Sequence, residues 1–133
     1  MSAVLNYKEA EMLGKYIETV RKNVPLVHNI TNYVTVNDVA NVLLACGGSP
    51  IMSDEPADVE DITSICGGLN INIGTLNKSS IEAMHKAGKR RRNSGTYCSL
   101  ILSAQVHRLS GRILRYPSWM SSASRRYAAI SPR

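Results

Sequence analysis

The stretch LVHNITNYVTVNDVANVLLACGGSPIM, residues 26–52, decides the fold. It opens on Leu26-Val27-His28-Asn29-Ile30, which reads as a short buried strand introduced by Pro25. A polar passage follows, Thr31-Asn32-Tyr33-Val34-Thr35, in which Thr35 is placed to cap a helix. Val36, Val39, Ala40, Val42, Leu43 and Leu44 keep the three-and-four spacing of one helix face, and Gly47 supplies a C-terminal stop. Ser49-Pro50-Ile51-Met52 is a second short strand. Strand, helix and strand in so short a span form a βαβ unit. Its two strands run parallel because the helix carries the chain back to the starting edge.

The same grammar extends in both directions. Upstream, Met12, Leu13, Tyr16, Ile17 and Val20 give the span from Tyr7 to Arg21 the apolar stripe of an amphipathic helix. Downstream, Glu55-Pro56 is expected to open a third helix through Val59, Ile62 and Ile65, with Asp54, Glu55 and Asp58 suited to its N-terminus. Leu69-Asn70-Ile71-Asn72-Ile73-Gly74 alternates strictly and reads as a third strand, and Ser79 or Ser80 starts a fourth helix through Ile81, Met84 and Ala87. The expectation is an α/β layer over residues 7–90, with parallel strands near 25–30, 49–52 and 69–74. Tyr97-Cys98-Ser99-Leu100-Ile101-Leu102 is one more candidate strand, after the Asn93-Ser94-Gly95 turn signal. From Ser103 to Arg133 serines and arginines are interleaved with scattered apolar residues and no period is sustained. No internal repeat is present.

Length and composition bound the class. A chain of 133 residues, 44% of them hydrophobic, can bury one core. No apolar run is long enough to span a bilayer, and the first residues lack the basic start and apolar centre of a signal peptide, so a cytoplasmic location is expected. Cys46, Cys66 and Cys98 are isolated and form neither a CxxC pair nor an even disulfide set; each reads as a small apolar core residue. His28, His85 and His107 have no metal-ligand spacing. The net charge of +6 conceals an asymmetry: residues 1–89 hold seven Lys/Arg and all ten acids, whereas residues 90–133 hold nine Arg, no Lys and no acid. Two readings of the basic segment compete. One is a nucleic-acid-binding module, in which Tyr97, Tyr116, Trp119 and Tyr127 stack on bases while the arginines contact phosphates. The other is a tail from a shifted reading frame, which has no reason to keep hydrophobic periodicity. No RRM, KH or helix-turn-helix signature supports the first, and the second is preferred.

In parallel α/β sheets ligands bind beyond the C-terminal ends of the strands, so three strand exits are candidates for chemistry. The first, His28 through Thr35, offers amides and hydroxyls to a small heteroaromatic ligand, or else only satisfies loop backbone. The second, Met52-Ser53-Asp54, offers a thioether to an apolar slot, or else an ordinary core Met. The third, Asn72 through Asn77, contains Gly74, which allows close approach to backbone or simply makes a turn. Glu55, Asp58, Glu60 and Asp61 read as a solvated helix start. Neither a GxxxxGK[ST] nor a GxGxxG phosphate cradle is present.

Three motifs carry a family resemblance. Val27 to Asp38, Gly47 to Ala57 and Ile71 to Leu76, in that order and at matching spacing over about the first 90 residues, resemble the opening of hydroxyethylthiazole kinases. The resemblance implies a ribokinase-like parallel sheet in a three-layer α/β/α arrangement, here truncated. It implies transfer of the ATP γ-phosphoryl group, with Mg2+, to the hydroxyl of 4-methyl-5-(2-hydroxyethyl)thiazole in thiamine biosynthesis or salvage. It places Met52 at the thiazole contact, with Asn29 and Thr31 lining the same pocket and Gly74 nearby. It further implies a homotrimer whose thiazole pocket lies between subunits. The family's next strand and its aspartate-proline-valine-glycine-alanine-glycine loop are absent after residue 90, as are the arginine, threonine and glycine-rich anion hole of the ATP site. The expected organisation is therefore a kinase-like part over 1–90 and a frame-shifted basic tail over 91–133, with catalytic and ATP-binding residues outside this chain and no kinase activity of its own.

Overall fold

The structure, a computed structural model, describes residues 7–94 and 97–101. Four helices, α1 (Tyr7–Asn23), α2 (Val36–Cys46), α3 (Val59–Ile65) and α4 (Lys78–Ser94), alternate with four strands, β1 (Leu26–Ile30), β2 (Ser49–Met52), β3 (Gly68–Asn72) and β4 (Tyr97–Ile101). The strands form one sheet in the order β2-β1-β3-β4, and all three pairings are parallel. The three expected strands and the candidate fourth are all present. Residues 102–133, which make up most of the expected frame-shifted tail, lie outside the described residues.

The chain steps one way from β1 to β2 and the other way from β2 to β3 and β4. Right-handed crossovers then put α2 on one face of the sheet and α3 with α4 on the other. The second face is the core: Ile30, Leu69 and Ile71 of the sheet, with Ile73 just beyond β3, pack with Val59, Ala83, Met84 and Ala87 of the helices. Each fully buried Ile or Leu contributes roughly 1.5–3 kcal/mol of transfer free energy, which makes this layer the main source of stability. The α1–α2 face is thinner. α2 has no fully buried residue, and its Val42 and Leu44 are exposed, as are Met12, Leu13 and Tyr16 of the expected α1 stripe.

Local signals match the elements in kind and differ in detail. Gly47 does end α2, at φ 93°, with the Gly47 and Gly48 N–H groups donating to the Leu44 and Leu43 carbonyls. Thr35 stands at the N-cap but does not cap with its side chain, because both its N–H and its hydroxyl donate to Asn32 Oδ1 at 3.0 Å. Pro56 does not begin α3: the Glu55 carbonyl accepts from Asp58 N–H and closes a turn, and the helix starts at Val59. Nor is the buried stripe of α3 the expected Val59, Ile62, Ile65. It is Val59 and Thr63, continued by Cys66, with Ile65 exposed. The start of α4 is organised by Asn77, whose Oδ1 accepts from Ser80 N–H while Ser80 Oγ accepts from Asn77 N–H, a reciprocal capping pair.

Candidate functional site

Between β1 and β3 the winding reverses. β1 feeds a helix on one face and β3 a helix on the other, so the chain parts beyond their C-terminal ends, where open α/β sheets hold ligands. Alternation decides which side chains reach that crevice. His28 and Ile30 of β1 pair in register with Leu69 and Ile71 of β3 and point into the α3–α4 core. The residues between them, Asn29 with Asn70, and then Thr31 with Asn72, occupy the opposite face. A central parallel strand is ordinarily apolar on both faces. Here one face of two adjacent strands is polar.

These side chains bind one another in sequence. Asn70 Nδ2 donates to Asn29 Oδ1 at 3.1 Å, and Asn29 Nδ2 donates to the Val27 carbonyl at 2.8 Å. One register step toward the strand ends, Asn72 Nδ2 donates to Thr31 Oγ1 at 3.2 Å, and Asn72 Oδ1 accepts from Gly74 N–H at 2.9 Å. Asn29 is 1% exposed and Asn72 8%, so these two amides lie inside the protein and need these partners, while Asn70 and Thr31 are half-buried. Gly74 sits in a half-buried turn held by the Asn72 side chain and has no left-handed backbone.

Met52 ends the edge strand β2, in register with Asn29. The loop that follows is tied to the β1 segment twice. His28 Nε2 donates to the Ser53 carbonyl at 3.0 Å, and His28 Nδ1 lies 2.9 Å from Thr63 Oγ1. Burial lowers the imidazole's affinity for a proton, and the Ser53 contact opposes this only in part. Tyr33 Oη donates to both carboxylate oxygens of Asp54, at 3.0 and 3.2 Å. That bond and the negative charge raise the Tyr33 pKa. Cys66 is buried, which pushes its thiol up, in keeping with a core role.

The structure thus brings Asn29, Thr31 and Met52 to one end of the sheet, and links Thr31 to Gly74 through Asn72. Sequence reasoning left Asn70 out of the site, placed Asn72 at the third exit without a role, and treated His28 as a solitary histidine. The strict Leu69-to-Ile73 alternation signalled the two asparagines; nothing local signalled Thr63 as the partner of His28. The groups at the strand ends are neutral amides and hydroxyls, apart from the Asp54 carboxylate that Tyr33 already engages. Among the described residues no three His, Cys, Asp or Glu side chains converge. This set suits a neutral ligand that donates and accepts hydrogen bonds. It does not make a cradle for ATP phosphates with Mg2+, and no phosphoryl-transfer step is assigned to it.

Comparison with known proteins agrees with the topology. The hydroxyethylthiazole kinase family matches residues 17–102. Over 78 residues the chain is 69% identical to a hydroxyethylthiazole kinase of Clostridium acetobutylicum, a segment that is 59% of this chain and 29% of that protein. Over 79 residues it is 57% identical to the enzyme of that name from Desulfovibrio desulfuricans, covering 59% of this chain and 28% of the relative. The solved hydroxyethylthiazole kinase protein from Pyrococcus horikoshii OT3 superposes with a TM-score of 0.65 at 36% identity, over 68% of this chain and 36% of that one. The matched segment is under a third of the two bacterial relatives' own length. On these matches and the doubly wound sheet, the chain belongs to the hydroxyethylthiazole kinase family.

Proposed function

We propose that this chain carries the thiazole-alcohol-binding edge of a hydroxyethylthiazole kinase. The observation that supports this most is the polar row at the winding reversal, Asn29 and Asn72 buried and Asn70 and Thr31 half-buried, with Met52 in register beside it. A thiazole is a flat, weakly polar ring with one nitrogen acceptor, and its hydroxyethyl arm adds a donor and an acceptor. Amides and a threonine hydroxyl satisfy such groups without the desolvation cost of an ion, and a half-buried Met offers an adaptable apolar surface to the ring. The reaction then is transfer of the ATP γ-phosphoryl group to the alcohol in thiamine biosynthesis or salvage. Charge-stabilising groups around ATP and Mg2+ must come from residues other than those described. A homotrimer and a cytoplasmic setting belong to the same proposal. No helix among the described residues is long and apolar enough to cross a membrane.

The reading is tested by calorimetric titration of the full chain with 4-methyl-5-(2-hydroxyethyl)thiazole and with its 5-ethyl analogue. Binding of the alcohol, weakened roughly tenfold or more when the hydroxyl is removed, is expected because the analogue lacks the group that would hydrogen-bond to the polar strand ends. Equal affinities for the two, or none for either, would sink it.

A further inference from the structure

His28 has no place in the ligand row, yet it is fully buried and its ring is held at both nitrogens. The Ser53 carbonyl can only accept, so Nε2 must carry the hydrogen. Nδ1 of the neutral ring then keeps its lone pair and accepts from the Thr63 hydroxyl. Both contacts fix one tautomer. The exposed acids of α3, Glu60 and Asp61, offer the ring no buried counter-charge.

What this ring holds is the exit of β2. β2 is an edge strand, paired to β1 alone among the described strands, so its end lacks a second ladder. The loop after it is anchored by Tyr33 to Asp54, an exposed bond of small worth, and by His28 to Ser53, a part-buried bond from a fully buried ring. Ser53 follows Met52 directly. His28 grips the strand end from the core face, while its neighbour Asn29 stands beside Met52 on the ligand face.

We propose that His28 is a positioning residue: as a neutral Nε2–H imidazole locked by Thr63, it fixes the Ser53 carbonyl and thereby sets where Met52 meets the ligand. The affinity part of this proposal rests on the thiazole reading; the positioning part does not. Nitrogen-15 NMR of the full chain is expected to show His28 protonated at Nε2 only at neutral pH. An Nδ1–H or doubly protonated ring would overturn the proposal. With selectively methyl-labelled Met52, H28L is expected to shift or broaden the Met52 signal, and H28Q, whose amide N–H reaches where Nε2 does, to restore it. An unchanged Met52 signal in H28L overturns positioning. If H28L does not fold, T63V replaces it, with the Met52 shift again expected and its absence again decisive. Thiazole affinity should fall about tenfold in H28L and recover to within about threefold in H28Q. If the unaltered chain binds no thiazole, the proposed function fails, while the Met52 signal still decides the role of His28.

Discussion

The Asn72 amide donates to the Thr31 hydroxyl across 3.2 Å, joining the ends of two strands whose following helices leave on opposite faces of the sheet. The bond closes the floor of the crevice that the winding reversal opens, and Asn72 spends its other amide atom on Gly74 N–H. One side chain therefore sets the distance between the β1 and β3 exits and the path of the turn after β3.

Thr31→Val keeps the shape of residue 31 and deletes the acceptor. A buried amide N–H then loses its partner, which costs roughly 1–3 kcal/mol. The expected result is a lower urea midpoint with an unchanged slope, together with weaker thiazole binding. Thr31→Ser, which keeps the hydroxyl, should restore most of both.

Gly47→Ala should destabilise the chain by about 2 kcal/mol in the same measurement. Gly47 holds φ 93°, which side-chain-bearing residues adopt only at a cost of roughly 1–2 kcal/mol. Any Cβ there would also strike Arg21 Cγ and come within 3.0 Å of the Arg21 backbone. Arg21→Ala in the same background should recover only the side-chain part, since the φ cost and the backbone approach remain.

Val24→Gly should do the reverse. Val24 is a β-branched residue at φ 41°, between the end of α1 and Pro25. Relieving that strain gains roughly 1–2 kcal/mol, and the extra freedom of glycine in the unfolded chain takes back about 0.5–1. A rise in the urea midpoint equivalent to about 0.5–1 kcal/mol is expected; a fall would mean that the valine side chain packs more than its exposure suggests.

Stability should also fall in acid through His28. Burial holds its folded pKa below the ordinary 6.5, so under that pH the unfolded chain binds the proton that the folded chain refuses. The contribution is complete above 6.5 and is lost progressively as pH drops toward the folded value. Urea midpoints compared at pH 7.5 and 5.5 should separate in the unaltered chain and converge in His28→Gln, whose side chain does not titrate.

The order of elements was legible because each signal was local. Gly47 and the spacing around Val39 and Leu43 report the geometry of their own helix, and the alternation of Leu69 to Ile73 reports its own strand. The site was legible only in part for the same reason. Met52, Asn29 and Thr31 could be placed at strand ends, since parallel sheets use those ends for ligands. That Asn72 closes on Thr31, or that Thr63 rather than Ile62 or Ile65 turns inward, depends on register and helix rotation. Both are set by the pairing of β1 with β3 and by the demand of a buried imidazole for a donor. Such long-range conditions leave no local trace. The charge break near residue 90 coincides with no element boundary: α4 runs through it to Ser94 and β4 follows in register with β3.

Met52 gives the sharpest test of the ligand site, because binding and stability separate there. It is half-buried at the end of an edge strand, so Met52→Ala removes little core area and should cost no more than about 1 kcal/mol of stability. If the thiazole ring lies against its side chain, the same change removes the apolar contact and the sulfur–ring attraction together. The sulfur contact alone is worth roughly 0.3–1.5 kcal/mol, a factor of about two to ten in affinity. Met52→Leu should therefore lose up to about tenfold and Met52→Ala clearly more, with urea midpoints close to the parent in both. Calorimetric titration of the three chains under one buffer reads the order directly. Equal affinities would place the ring elsewhere along the strand ends, with Thr31 and Asn72 as the next residues to substitute. A large stability loss in Met52→Ala would instead make Met52 a core residue of the sheet edge.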